Sequence, residues 1–336
     1  PTPRRDHTST STSDGMGMIV FGGQQDFDFE GEVASTNFND LHTLALIVEE
    51  DGNEAWTWTK LNATGSIPKP RNSHTAVYSK TLNSLYIFGG ADNKGPLNEL
   101  YRLDLDQHIW EKMSTTVSPP AREMHATVSY KNFMLVYGGR GRNGALLSDV
   151  CVFNYVKKTW EIFPNSKQPG RCAHTCNLLV AADGLEYIIV VGGFEGDSFA
   201  KNGMLTKSLM SNEKDEKSVE QNTSSSSSSS VKFEDLTLQE QEGSSDLKSK
   251  TNTKEAQPKS PINKFDWKVL IFEGDNTEPS RRFAHAATQI VNKNKGYVYV
   301  WGGVNEHEDL DTLYCCKSYE SPNIQQQMSP TKKRKK

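Results

Sequence analysis

The sequence predicts an all-β fold in which five repeats, each a small four-stranded sheet, stack around a common axis. Three periodic signals carry that expectation. Arg-x-x-His recurs at Arg4/His7, Arg71/His74, Arg122/His125, Arg171/His174 and Arg282/His285. Each is followed by an apolar run that ends in Gly-Gly, at Phe21-Gly22-Gly23, Phe88-Gly89-Gly90, Tyr137-Gly138-Gly139, Val191-Gly192-Gly193 and Trp301-Gly302-Gly303. A Trp opens the last segment of four repeats, at Trp58, Trp110, Trp160 and Trp267. One Gly-Gly would mean little, but five at one phase mark a repeat architecture.

The elements of each repeat follow from local composition. In the second repeat, residues 75–79, 85–88, 100–105 and a segment near Trp110 are rich in β-branched and aromatic residues and bounded by Gly, Pro and Asn, the strand signature. The glycine pair ends the second strand, where the backbone needs positive φ or approaches a neighbour closely. A polar residue then an aliphatic one opens the third strand, at Asp40-Leu41, Glu99-Leu100, Asp149-Val150 and Thr312-Leu313. One such sheet cannot bury both of its faces, so neighbouring repeats must cover each other.

These residues resemble the kelch repeat, over roughly 1–205 and 263–316. The resemblance implies a β-propeller with one blade per repeat. It also implies that the loops between second and third strands share one face with the inter-blade connections, and that this face binds another protein. In layout the chain is similar to kelch-only or host-cell-factor-like proteins. The expected organisation is a propeller over 1–316, interrupted by a low-complexity insertion at 206–262, then a basic tail at 317–336. The insertion contains seven consecutive serines at 224–230 and too few apolar residues to offset its ordering entropy. Its expected place is between the third and fourth strands of blade four. Blade five shows three strands, 284–291, 297–301 and 313–319, and only Pro1, Thr2 and Pro3 precede the first Arg-x-x-His. Either the ring is left open or the natural protein continues upstream of Pro1, with a closing strand or an additional blade there; the non-Met start favours the second reading.

Composition excludes some classes. A net charge of −4 argues against a specific nucleic-acid surface, and no apolar run is long enough for a membrane-spanning helix. Five cysteines, an odd number, do not form a disulfide framework, which points to a reducing compartment. The repeated histidines occupy equivalent positions on separate blades, too far apart to share a metal ion. Cys172-Ala-His174-Thr-Cys176 would put three ligand-type side chains on one face of a strand, yet no fourth ligand is evident, so core packing is the expected role. No cofactor motif or phosphate-binding loop is present, and no cofactor or metal is expected.

The expected function is a non-enzymatic interaction scaffold. Its leading site is the long loop at 24–39 of blade one, which carries Asp26, Phe27, Asp28, Phe29, Glu30 and Glu32. Exposed aromatics among charges act as interface anchors. Blade five's loop is acidic too, through Glu306, Glu308 and Asp309, whereas blade three's carries Arg140 and Arg142. A protein partner with a basic or mixed-charge segment fits this face. Lys332, Lys333, Arg334, Lys335 and Lys336 resemble a nuclear localisation signal, which implies an import receptor and a nuclear or nucleocytoplasmic protein. The rival readings are a substrate-recruiting subunit of a ubiquitin ligase and a metal-dependent enzyme on the same ring.

Overall fold

The computed structural model describes residues 1–12, 17–48, 52–164, 168–180, 186–200, 203–207, 268–270, 282, 284–292, 295–305, 307–310 and 313–317, all within one compact unit. Blade one is the antiparallel sheet β1 (Thr8–Ser11), β2 (Gly17–Phe21), β5 (Leu41–Val48) and β6 (Glu54–Lys60), with a separate hairpin of β3 (Gln24–Phe29) and β4 (Glu32–Asn37) between its second and third strands. In blade two, β8 (Thr75–Ser79), β9 (Ser84–Phe88), β12 (Leu100–Asp104) and β13 (Ile109–Lys112) form the sheet. A two-residue strand, β7 (Thr64–Gly65), adds to it in parallel with β13, and β10 (Ala91–Asp92) pairs with β11 (Gly95–Pro96) in the loop.

Blade three comprises β14 (Ala126–Tyr130), β15 (Phe133–Tyr137), β16 (Val150–Asn154) and β17 (Thr159–Phe163). Blade four comprises β18 (Thr175–Val180), β19 (Glu186–Val191), β20 (Gly203–Lys207) and β21 (Lys268–Leu270), so its third and fourth strands pair across the chain at 208–267. Blade five contributes β22 (Ala286–Asn292), β23 (Lys295–Trp301) and β24 (Leu313–Lys317). Its first strand starts later than the sequence suggests because Ala284 adopts a left-handed backbone, φ 55°, which an extended strand cannot include. The predicted insertion beyond Lys207 and the tail beyond Lys317 lie outside the described residues.

The first strands of successive blades lie side by side in chain order, β1 by β8, β8 by β14, β14 by β18 and β18 by β22. The residue before each repeat histidine, Asp6, Ser73, Met124, Ala173 or Ala284, is left-handed. That turn aims each amide at the preceding repeat: Ser73 N–H donates to Asp6 O, Met124 to Ser73, Ala173 to Met124 and Ala284 to Ala173, at 2.8–3.0 Å. A single ladder of backbone hydrogen bonds thus ties five blades together. It also ends the Cys172–Cys176 alternation, since Ala173 takes Cys172 off the strand that holds Cys176. Both thiols are buried free cysteines, and burial pushes Cys176 up to about 12.

From blade two on, each Arg-x-x-His motif serves two blades. The buried guanidinium holds its own blade: Arg71 donates to Gly89 O at 3.0 Å and Glu99 at 2.9 Å, and Arg122 to Gly138 O at 2.9 Å and Asp149 at 2.7 Å. Arg4 repeats this with Gly22 O and Asp40, and Arg171 with Gly192 O and Glu195. Burial would raise the Asp40 carboxyl, but the Arg4 and His42 hydrogen bonds outweigh it and hold it at about 2. The histidine holds the preceding blade, packing edge-on against Phe21 (His74), Phe88 (His125) and Tyr137 (His174) at 5.3–5.4 Å. These are the aromatics just before each Gly-Gly. Trp110 and Trp160 cover the same Phe21 and Phe88.

The Gly-Gly requirement is explicit at Gly89 and Gly90, φ 62° and 86°. A Cβ on Gly89 would sit 2.7 Å from Arg122 O of the next blade, and one on Gly90 would sit 2.5 Å from Asn72 O. Gly90 N–H meanwhile donates to Arg122 O at 2.9 Å. Positive φ and close approach both operate here.

Candidate protein-interaction face

In blades one to four the connection into the blade and its loop between second and third strands lie at one end of the sheet. Backbone bridges fix this: Arg5 to Gln24, Asn72 to Ala91, Glu123 to Arg140 and Cys172 to Phe194. The face is continuous from blade one to blade two through side-chain amides. Asn72 Nδ2 donates to Asn37 Oδ1 at 2.8 Å, and Asn37 Nδ2 to Asn93 Oδ1 at 3.0 Å.

The long loop of blade one is a hairpin, in register from Gln24↔Asn37 to Phe29↔Glu32. Its turn, Glu30-Gly31, has φ of 57° and 84°, the two positive values that match the twist of a tight hairpin. Gly31 N–H donates to Asp28 Oδ1 at 2.9 Å, which closes the tip. Alternation along paired strands then sorts the side chains. Phe27 and Phe29 lie on one face with their partners Ala34 and Glu32, while Asp26 and Asp28 lie on the other with Ser35 and Val33. Phe29 is 61% exposed and Val33 82%. The alternation of Asp and Phe before Glu-Gly was the sequence signal for this hairpin.

The predicted charges divide in the same way. Asp26 is held by Arg5, at 2.9 Å, and by Ser35, at 2.7 Å; the Arg5 hydrogen bond is the main cause of its lowered pKa. Asp28 is engaged by the turn amide. Glu30 and Glu32 are exposed, and among the described residues their carboxylates make no hydrogen bond or ion pair. Arg140 pairs with Glu123 at 2.8 Å, whereas Arg142 is exposed at the start of a short 3-10 turn, Arg142–Gly144. In blade five, Asn305 Oδ1 accepts the His307 and Glu308 amides, at 2.7 and 2.9 Å, leaving Glu308 and Asp309 exposed. Glu306 and the five basic tail residues lie outside the described residues.

The repeat histidines belong to the blade interfaces and not to a shared centre. Among the described residues no three His, Cys, Asp or Glu side chains converge to hold a metal ion. Burial is the main cause that lowers the imidazoles, His74 and His174 to about 3 and His285 to about 4. Sequence reasoning missed their hydrogen-bond partner, the residue after the previous blade's histidine. Thr8 Oγ1 meets His74 Nε2 at 3.0 Å, Thr75 meets His125 at 2.7 Å and Thr175 meets His285 at 3.0 Å. The fourth such position is Ala126, and His174 Nε2 has no partner among the described residues.

Sheets joined by these Arg, His and Gly-Gly contacts define a kelch-type β-propeller. The chain belongs to the family described as the KLHDC2/KLHL20/DRC7 Kelch-repeats domain, whose model matches residues 1–225. It is 29% identical to acyl-CoA-binding domain-containing protein 5 of Arabidopsis thaliana, over 54% of this chain and 26% of that protein. It is 32% identical to dynein regulatory complex subunit 7 of Chlamydomonas reinhardtii, over 42% and 11%, and 30% identical to the Rab9 effector protein with kelch motifs of Bos taurus, over 50% and 44%. The match thus spans about a quarter of the Arabidopsis relative. A kelch-repeat domain of this kind is a protein-interaction module.

Proposed function

We propose that this chain is a non-catalytic scaffold whose blade-one hairpin anchors a protein partner bearing a basic or mixed-charge segment. The carrying observation is the hairpin itself, which projects Phe27 and Phe29 into solvent from one face beside Glu32, and Val33 from the other. Apolar anchors set residence time, and free carboxylates near them steer a basic partner and make association salt-sensitive. Arg142 on blade three, with Glu308 and Asp309 on blade five, gives the same face both signs of charge, which suits a segment of mixed charge. The basic tail, Lys332, Lys333, Arg334, Lys335 and Lys336, engages an import receptor and makes the protein nuclear or nucleocytoplasmic.

Quantitative mass spectrometry of proteins co-purified with the tagged chain tests the reading. The double variant Phe27→Ala, Phe29→Ala should lose one set of partners at least tenfold with its thermal midpoint unchanged. An identical partner set on wild type and variant would refute it.

A further inference from the structure

The outer edge of β3 presents unpaired main chain in a pattern fixed by the hairpin's turn. A two-residue turn at Glu30-Gly31 makes Phe29↔Glu32 the first hydrogen-bonded pair, and the pairing alternates from there. Phe27 and Gln25 therefore direct their N–H and C=O groups at β4, whereas Asp28, Asp26 and Gln24 direct theirs outward. Gln24 confirms that parity. Its N–H donates to Arg5 O and its C=O accepts Arg5 N–H, both at 2.9 Å.

The lead-in segment has thus begun an antiparallel third strand on β3, as an isolated bridge at Gln24. Sequence explains why it goes no further toward the tip. The residue that would next face Asp26 is Pro3, which has no N–H to donate, and Arg4 turns its guanidinium down to Gly22 O and Asp40. Among the described residues no strand covers the edge at 26–29, and all four of its residues are exposed.

We infer that the partner's basic segment binds in extended form, as a third strand along 26–29 in the direction that Arg5 has set; this rests on the hairpin being the partner site. Its main chain exchanges hydrogen bonds with Asp26 and Asp28 as Arg5 does with Gln24. Directly opposed residues share a face of the sheet, so basic side chains opposite the two aspartates lie beside their carboxylates. Apolar side chains opposite Phe27 and Phe29 lie against the rings. The edge therefore reads a segment in which basic and apolar residues alternate, with the main chain supplying affinity and the alternate side chains specificity. A second copy is opposed by charge: β3 paired antiparallel with itself across Phe27 would set Asp26 of one copy against Asp28 of the other, twice. The edge of β4 carries neither the aspartates nor the rings.

The test titrates a fluorescein-labelled heptapeptide of alternating Val and Lys against the full chain by anisotropy. Charge sets its register, so its lysine amides point at β3 and its valine amides point away. N-methylation of the lysine amides should weaken binding by about tenfold, and N-methylation of the valine amides by less than about twofold. Bound peptide should slow hydrogen exchange of the Asp26 and Asp28 amides and leave that of Phe27 unchanged.

Equal sensitivity to the two methylation patterns, or none to either, would overturn strand addition. If Phe27→Ala with Phe29→Ala still abolished that binding, the hairpin would stand as the partner site and only this mode of docking would fail. Binding that survives the double variant, or no binding at millimolar peptide, would overturn the inference outright. Protection of the same two amides in the chain alone would overturn the choice of occupant. It would favour a second copy if it grew with protein concentration, and the chain's own basic tail if it were lost on deleting 317–336.

Discussion

Ala126→Thr is expected to stabilise the protein, a direction rarely taken by a change at a buried site. Three of the four described histidine contacts between blades contain a threonine hydroxyl on Nε2, at 2.7–3.0 Å. At the fourth, Ala126 stands where the hydroxyl would be, and His174 Nε2 is buried without a partner among the described residues. An unmet buried polar group costs ~1–3 kcal/mol, and a typical hydrogen bond contributes ~1 kcal/mol net. The new hydroxyl should therefore add ~1 kcal/mol, raising the midpoint by ~2–4 °C for a domain of this size. The converse variant, Thr75→Ala, should cost ~1–3 kcal/mol by leaving His125 in the state of His174. Urea denaturation of both, with Ala126→Val as the control of equal shape, separates hydrogen bonding from packing. If Val at 126 stabilises as much as Thr, or Thr is neutral, the hydrogen bond is not the source of the effect.

Acid should loosen the blade interfaces before it protonates the ion pairs. Because buried His74, His174 and His285 stay near 3–4 against an ordinary 6.5, the unfolded chain takes up protons below pH 6.5 that the folded chain refuses. Their contribution is full above pH 6.5 and falls toward pH 4, by ~2 kcal/mol per histidine at pH 5; a flat urea midpoint from pH 7 to 5 would contradict this. Gly90→Val should cost ~1–3 kcal/mol in backbone strain alone, and more from its clash with Asn72 O, measured by the same denaturation. Neutralising the five basic tail residues should move a tagged full-length protein from nucleus to cytoplasm by imaging, and an unchanged nuclear signal would remove them as the import element. Glu30→Gln with Glu32→Gln should slow partner association at 50 mM salt and leave dissociation unaltered.

The blade plan was legible because its determinants are local and repeated. In blade two the read strands and the observed ones differ by no more than about a residue at each end, since each is bounded by a glycine pair or a turn. Both functions foreseen for Gly-Gly are met in the backbone. The hairpin is less legible, because the alternation of Asp26-Phe27-Asp28-Phe29 is only four residues long and suits an extended loop as well as a strand. Pairing of Asp26 with Arg5 was hidden because the two are 21 positions apart and meet only when the lead-in segment bridges to Gln24. The threonine–histidine contacts were hidden for the same reason, as each spans 50 residues or more and needs the stacking of whole blades to form.

The central claim is that the hairpin on the loop face engages a protein partner. A photo-crosslinking phenylalanine analogue at Phe29, compared with the same group at Val156, tests it most directly. Val156 is as exposed as Phe29 but follows β16, at the end of its blade opposite the Gly-Gly loops. Irradiation in cells should give a discrete protein adduct from position 29 and none from 156. Adducts from 156 alone, or from neither position while the protein still co-purifies with a partner, would contradict the account.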